Sequence, residues 1–280
     1  MDCFIDHKHG LTTSTLQPKS LTLLKTVRLS SPPLSVCHCG HDTYVGLQDG
    51  TVSRIDESFT LHEKVLTCMD AVAGIVLYKD RIYTLVYGSP MTINVHDLSG
   101  GLITSWQHTD SVPWCNKLAV VADRLVVPDR TNGQLTIYSL TGEILSKVGN
   151  FQFKFSHKWL SMCSFRNNSV IISDYQSDLV VRIDVLTGNV LWTNLYTIEP
   201  LGVARYGQNN LLVVSSDCRV IEVLNIQTGE LSCMWRLENL AGYICRCSNA
   251  SGFVVWSCGT IFFKHRHSAT TPHWSFYIIN

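Results

Sequence analysis

Three aspartates recur where short apolar runs end: Asp129, Asp174 and Asp217. A ring of carboxylates would bind a cation. Carboxylates at turns also cap their own backbone N–H groups, and turn chemistry repeats with a structural unit whereas a single metal site does not. Repetition therefore favours capping. Two C-x-C pairs, Cys37-His38-Cys39 and Cys245-Arg246-Cys247, fall within β-rich runs. In a strand, alternation puts both thiols of each pair on one face, a poor zinc spacing, so they read as small buried hydrophobes. His265, His267 and His273 lie near the C-terminus and read as solvated. No G-x-S-x-G elbow, P-loop or G-x-G-x-x-G is present. No catalytic residue, metal ligand or cofactor is assigned.

The elements that would position these residues are clearest in Asn116–Leu145, NKLAVVADRLVVPDRTNGQLTIYSLTGEIL. Leu118–Val121, Leu125–Val127, Leu135–Tyr138 and Ile144–Val148 are β-rich runs separated by turn residues. The same module recurs along the chain. Its register is marked by Gly100, Gly142, Gly188 and Gly229, each before a last strand, with gaps of 42, 46 and 41 residues. Three of them stand in Thr-Gly-Glu or Thr-Gly-Asn. A four-strand repeat of about 40–45 residues is the propeller signature.

Five complete modules precede a sixth that has Tyr243–Cys247, Phe253–Ser257 and Ile261–Lys264 but no fourth strand. Leu21–Val27 is a strand without a hairpin partner and would fill that edge. The expected fold is all-β: a six-bladed β-propeller with four-stranded blades, closed by an N-terminal strand. Residues 1–20 are expected as a flexible tail, 21–265 as a single propeller domain, and 266–280 as an irregular C-terminal tail.

Apolar residues at 45% supply a sizeable core, and Lys+Arg equal Asp+Glu at 22 each. The chain therefore lacks the basic excess with which nucleic-acid binders displace counterions. No apolar run reaches the roughly 20 residues of a membrane span, and the first residues lack a secretory pattern. The 11 cysteines then read as reduced thiols, and the expectation is a cytoplasmic protein.

Asp129–Ile137 (DRTNGQLTI) resembles the NHL repeat, in which an acidic residue ends the second strand, Asn follows, and Arg-Ile enters the third; Gln134 replaces the Arg. Asp174–Val180 and Ser216–Ile221 follow the pattern more loosely. HTDSVPWCNKLAVVADRLVV and LTIYSLTGEIL are similar to the C-terminal propellers of invertebrate tripartite-motif (TRIM) proteins. That resemblance implies the substrate-recognition propeller of a ubiquitin ligase. The RING and B-box are missing here, since no C-x₂-C pair occurs.

In a propeller, the loop joining second to third strands and the loop joining one blade to the next share a face. In modules three to five these loops gather Trp114, Phe151, Phe153, Phe155, Trp159, Tyr175 and Tyr196, with Asp129 and Arg130. Aromatics in loops point to a partner surface, with inward packing between blades as the competing reading. Acidic residues outnumber basic ones in these loops, which disfavours nucleic acid. The expected activity is a non-enzymatic protein-interaction scaffold, monomeric as this chain, whose partner is a ubiquitination substrate or ligase component. The rivals are a calcium-dependent lactonase of the six-bladed gluconolactonase type and a quinoprotein-like enzyme. The latter is hinted at by Asn189-Val190-Leu191-Trp192.

Overall fold

The protein is seen in a computed structural model. It describes residues 3–4, 21–39, 41–108, 117–129, 131–149, 151, 153, 155, 160–166, 168–206, 208–215, 220–236, 242–246, 252–257 and 273–279.

The strands, in chain order, are β1 (Cys3–Phe4), β2 (Leu21–Arg28), β3 (Pro33–Cys39), β4 (Asp42–Leu47), β5 (Thr51–Ile55), β6 (Leu61–Thr67), β7 (Val72–Tyr78), β8 (Arg81–Val86), β9 (Met91–Asp97) and β10 (Leu102–His108). Next come β11 (Ala119–Val121), β12 (Arg124–Asp129), β13 (Gln134–Ser139), β14 (Ile144–Val148), β15 (Leu160–Phe165), β16 (Ser169–Asp174), β17 (Leu179–Asp184) and β18 (Val190–Asn194). The chain ends with β19 (Pro200–Tyr206), β20 (Asn210–Ser215), β21 (Val220–Asn225), β22 (Leu231–Arg236), β23 (Gly242–Arg246), β24 (Gly252–Ser257) and β25 (His273–Ile279).

Successive groups of four form antiparallel meanders: β3–β6, β7–β10, β11–β14, β15–β18 and β19–β22. A further sheet has the order β2-β25-β24-β23, so the chain's two ends meet in one blade. The first strands are neighbours around a ring: β3 touches β7, β7 touches β11, then β15, β19 and β23, which returns to β3. The fold is a β-propeller.

Three expectations are corrected. Four-stranded blades number five, not six: the sheet of β19–β22 is five-stranded, because β1 adds to its outer edge with Cys3 opposite Trp235 and Phe4 opposite Met234. An outer strand otherwise presents a row of unpaired backbone groups, and a short segment inside the supposed 1–20 tail covers them here. The tail at 266–280 is not wholly irregular either, since His273–Ile279 pairs with both β24 and β2. It takes the third-strand position that the sequence reading gave to Ile261–Lys264, a stretch outside the described residues. HWSFYII is a good strand sequence, but a connection of 15 residues from β24 hides it from a search for short hairpin loops.

The core lies between blades rather than inside any one sheet. One apolar cluster joins Val126, Leu135 and Ile137 to Leu160, Val170, Ile172 and Val181. The next joins Leu85, Ile93 and Val95 to Leu125, Val127 and Tyr138. In β12, therefore, Val126 faces one neighbour while Leu125 and Val127 face the other. This is why the middle strands read as unbroken apolar runs: a strand buried on both faces has no polar side to alternate with. The outer strands β14 and β18 are mostly exposed, by contrast.

The repeated turn glycines have two reasons. All four have left-handed backbone, with φ of 91° at Gly100, 98° at Gly142, 73° at Gly188 and 75° at Gly229. Each also sits against the outer strand of the preceding blade. A Cβ on Gly142 would lie 2.6 Å from Cδ2 of Trp106, and one on Gly229 would lie 2.5 Å from Cε3 of Trp192. At Gly188 the nearest atom is Cβ of Val148 at 3.3 Å. Gly188→Ala should therefore cost about 1–2 kcal/mol, mostly the left-handed penalty, with Val148 yielding only slightly. Gly142→Ala should cost that plus a further ~1–3 kcal/mol of overpacking against the indole. Denaturant titration of the two variants checks the difference; equal losses would mean that the Trp106 contact carries no constraint.

Candidate functional site

The antiparallel meander places the turns after the second strands and the blade-to-blade loops on one face, here called upper. Of the residues expected on this face, Trp114, Arg130 and Trp159 lie outside the described residues. Asp129 is fully buried: its carboxylate accepts the backbone N–H of Asn132 at 3.1 Å and the Asn132 amide at 2.8 Å, and Lys147 Nζ lies 3.9 Å away. Asp174, also buried, accepts N–H groups of Gln176 at 3.2 Å and Ser177 at 3.4 Å. Both aspartates cap their own turns, so neither presents its charge to a partner. Asp217 lies outside the described residues.

Phe151 is half-buried and packs against the core between blades three and four. Its ring stacks on Phe153 at 5.2 Å with planes 7° apart, and meets the edge of Phe155 at 5.8 Å. This trio is inter-blade packing with an exposed rim. Tyr175 is half-buried, whereas Tyr196 is 89% exposed.

The loop that carries Tyr196 joins β18 to β19, and two of its residues escaped the sequence reading. Leu195 is 65% exposed and Ile198 is 50% exposed, so this one loop leaves three large apolar side chains in solvent. The signal was present in Leu195-Tyr196-Thr197-Ile198 ahead of Pro200, but a search restricted to aromatics passes over it.

The backbone beneath this tip is held on every side. Asn194 is buried; its Oδ1 accepts N–H of Tyr196 at 2.8 Å and of Thr197 at 3.3 Å, while its Nδ2 donates to Gly229 O at 2.8 Å. Thr197 Oγ1 donates to the Glu222 carboxylate, and Ser215 Oγ donates to Ile198 O. Glu199 N donates to Asp178 Oδ1 at 2.7 Å, tying this loop to the turn that holds Tyr175. Tyr175 and Tyr196 thus belong to one bonded surface. Fixing such a loop in advance removes the ordering cost that a flexible one would carry on binding.

Glu222 is the unusual group in the clamp. Burial raises its carboxyl pKa, and the bond from Thr197 only partly opposes this. A raised folded value means that the stabilising form is the neutral acid. The group's contribution is full below the ordinary value of 4.5 and is lost as pH rises through the folded value. Glu222→Gln keeps an acceptor for Thr197 without the charge. It should melt higher than the native chain at neutral pH and equal to it below the ordinary carboxyl range. Thermal melts across pH check this, and a variant less stable at pH 7 would show that the ionised carboxylate is needed.

The first strands enclose a central cavity of about 310 Å³. Among the described residues its charged lining is cationic, Lys117 and Arg205, with His38 and no carboxylate. Lys117 Nζ donates to Leu34 O at 2.5 Å. His38 Nδ1 is 2.9 Å from Thr43 Oγ1. Burial pushes the thiols of Cys37 and Cys163 up to about 12, which keeps both protonated at neutral pH. Cys39 is exposed. β3 does neighbour β23, which carries Cys245, but Cys247 lies outside the described residues. Among the described residues no group of three or more His, Cys, Asp or Glu is placed to hold a metal ion. No helix among them is long and apolar enough to cross a membrane.

Comparison with solved structures supports the fold. The chain is similar to the WD40 β-propeller domain of Doa1, with TM-score 0.63 and 10% identity over 92% of this chain and 97% of that one. It is also similar to a streptogramin B lyase, with TM-score 0.66 and 15% identity over 91% of this chain and 87% of that one. At these identities the likeness is one of fold alone. No family model matches the chain, and no curated protein sequence matches it.

Proposed function

We propose that this chain is a non-enzymatic protein-interaction propeller whose working surface is the Leu195–Ile198 loop together with the Tyr175 turn. The observation that carries this reading is the exposure of Leu195, Tyr196 and Ile198 on a backbone clamped by Asn194, Thr197, Ser215 and Asp178. An exposed tyrosine on a fixed backbone, with apolar neighbours, is the kind of residue that anchors an interface hot spot. A flexible loop would instead fold them inward. Asp178 and Glu199 flank the apolar tip, so the partner that fits is a protein with an apolar pocket and a basic rim.

The resemblance of Asp129–Ile137 to NHL repeats and of the third module to TRIM propellers gives this reading its finer form. The partner is then a ubiquitination substrate or a ligase component, recognised in the cytoplasm by the chain acting as an adaptor. The WD40 β-propeller domain among the structural neighbours is consistent with the broader form. The rival reading as a propeller enzyme draws on the lyase neighbour, but the neutral thiols of the channel and the turn-capping role of Asp129 and Asp174 leave it without assigned catalytic groups.

Affinity capture with the native chain, Tyr196→Ala and Phe151→Ala tests the surface. A partner retained by the native chain should be weakened by about 2 kcal/mol or more in Tyr196→Ala, with the melting temperature unchanged because the ring is exposed. Phe151→Ala should do the opposite, lowering stability through the lost ring contacts while leaving binding by the folded fraction intact. Unaltered capture by Tyr196→Ala would remove this loop from the interface.

A further inference from the structure

The outer strands β10, β14, β18 and β22 share an irregularity. One residue near the start of each, Ile103, Leu145, Leu191 or Ser232, falls out of register with the third strand. A bulge of this kind interrupts regular pairing, so the outer edge accepts a further strand only beyond it. In β22 that stretch is Cys233–Arg236. There β1 covers the two central residues, Cys3 opposite Trp235 and Phe4 opposite Met234, and leaves Cys233 and Arg236 without a facing residue in β1.

The fold does not require this cover. β6, β10, β14 and β18 are outermost in their sheets and carry no fifth strand among the described residues. β6 guards its edge with Glu63 and Lys64, the latter in left-handed backbone at φ 56°. β10 and β18 contain no Asp, Glu, Lys or Arg, and each still completes a four-stranded sheet. What sets β22 apart is its position. Its sheet neighbours the blade that β2 closes, since β19 touches β23. Residues 5–20 join β1 to β2, and a tether of that length holds β1 near the edge at an effective concentration on the order of millimolar. Two residue pairs are fewer than the roughly three to ten of an ordinary strand, so a longer segment competes well.

We propose that the outer edge of β22 is a strand-addition site for an extended segment of a partner protein, and that β1 occupies it in cis until that segment displaces it. The site lies outside the Leu195–Ile198 surface and stands without it. The partner's chemistry is read from the present occupant. Asp2-Cys3-Phe4-Ile5-Asp6 is a short apolar run between acids, and Arg236 is the charged residue of LSCMWR. A strand longer by one residue at each end would pair along all of Cys233–Arg236. Its first residue would then stand opposite Arg236, where an acid is favoured. Main-chain bonds supply affinity in this mode, and side chains choose the partner. A second copy of this chain is the poorer occupant: its β1 offers the same two pairs without the tether, so it competes only near millimolar chain.

Fluorescence anisotropy of a labelled octapeptide, MDCFIDHK, under reducing conditions tests the site on the full chain. The double variant Cys3→Pro/Phe4→Pro removes the backbone donors of β1. It should free the edge at an unchanged melting temperature, because β10 and β18 tolerate open edges. The octapeptide should bind the double variant at least about tenfold more tightly than the native chain, whose own β1 competes. The same octapeptide with both prolines should bind neither. Amide hydrogen exchange locates the contact: Leu231–Arg236 should exchange faster in the double variant and slow again when the octapeptide is added. Equal binding to both chains, no binding to the folded double variant, or protection outside β22 would overturn the proposal. So would a native dimer at micromolar concentration that the prolines abolish, since β1 would then act between copies.

Discussion

Burial of each blade's two faces against its neighbours is the constraint on which the rest of this molecule depends. No sheet here has a core of its own. Val126 points toward one blade while Leu125 and Val127 point toward another, and the same division separates Val170 and Ile172 from Ile171. Removing one blade would expose apolar surface on both of its neighbours. A ring is the arrangement that leaves no blade with a bare face. This explains why the two chain ends, β2 and β25, are drawn into one sheet although about 250 residues separate them.

The apolar contacts fix the spacing of the blades, and polar struts at the rims fix their angle. His108, fully buried on β10, lies 3.2 Å from Pro128 O through Nε2 and 2.9 Å from the Tyr138 hydroxyl through Nδ1. A carbonyl only accepts, so Nε2 carries the proton and the tyrosine donates to Nδ1. Trp192 Nε1 donates to Ile226 O at 3.1 Å, and Arg182 bonds the same turn. Asn194 reaches Gly229. Each strut runs from one blade to the next, and each satisfies a polar group that burial would otherwise penalise.

The same topology separates two kinds of surface. The upper loops between blades four and five are bound to one another and hold apolar side chains outward, with carboxylates beside them. The opposite face brings the guanidinium groups of Arg166, Arg182 and Arg205 onto the Phe165 ring. Loops have this freedom because strand packing already supplies the stability, so the rims can carry residues that a core would reject.

The repeat was legible because glycine at a left-handed turn and apolar runs of four to six residues are local properties, and Gly100, Gly142, Gly188 and Gly229 mark them directly. The capping role of Asp129 and Asp174 was legible for the same reason: each bonds within three residues of itself. The third strand of the closing blade was not, because pairing β25 between β24 and β2 depends on contacts across nearly the whole chain. Nor was the addition of β1 to β22, where two residues gain order only because an open edge awaits them. Among the aromatics, residue type could not separate Phe151, packed between blades, from Tyr196, held in solvent. That distinction is made by Asn194, Thr197 and Glu222, which meet only when blades four and five are side by side. Sequence determined what each module is, since turn geometry and strand burial act over a few residues. The tertiary structure alone decided which loops meet and which side chains remain outside, since those outcomes follow from how the ring closes.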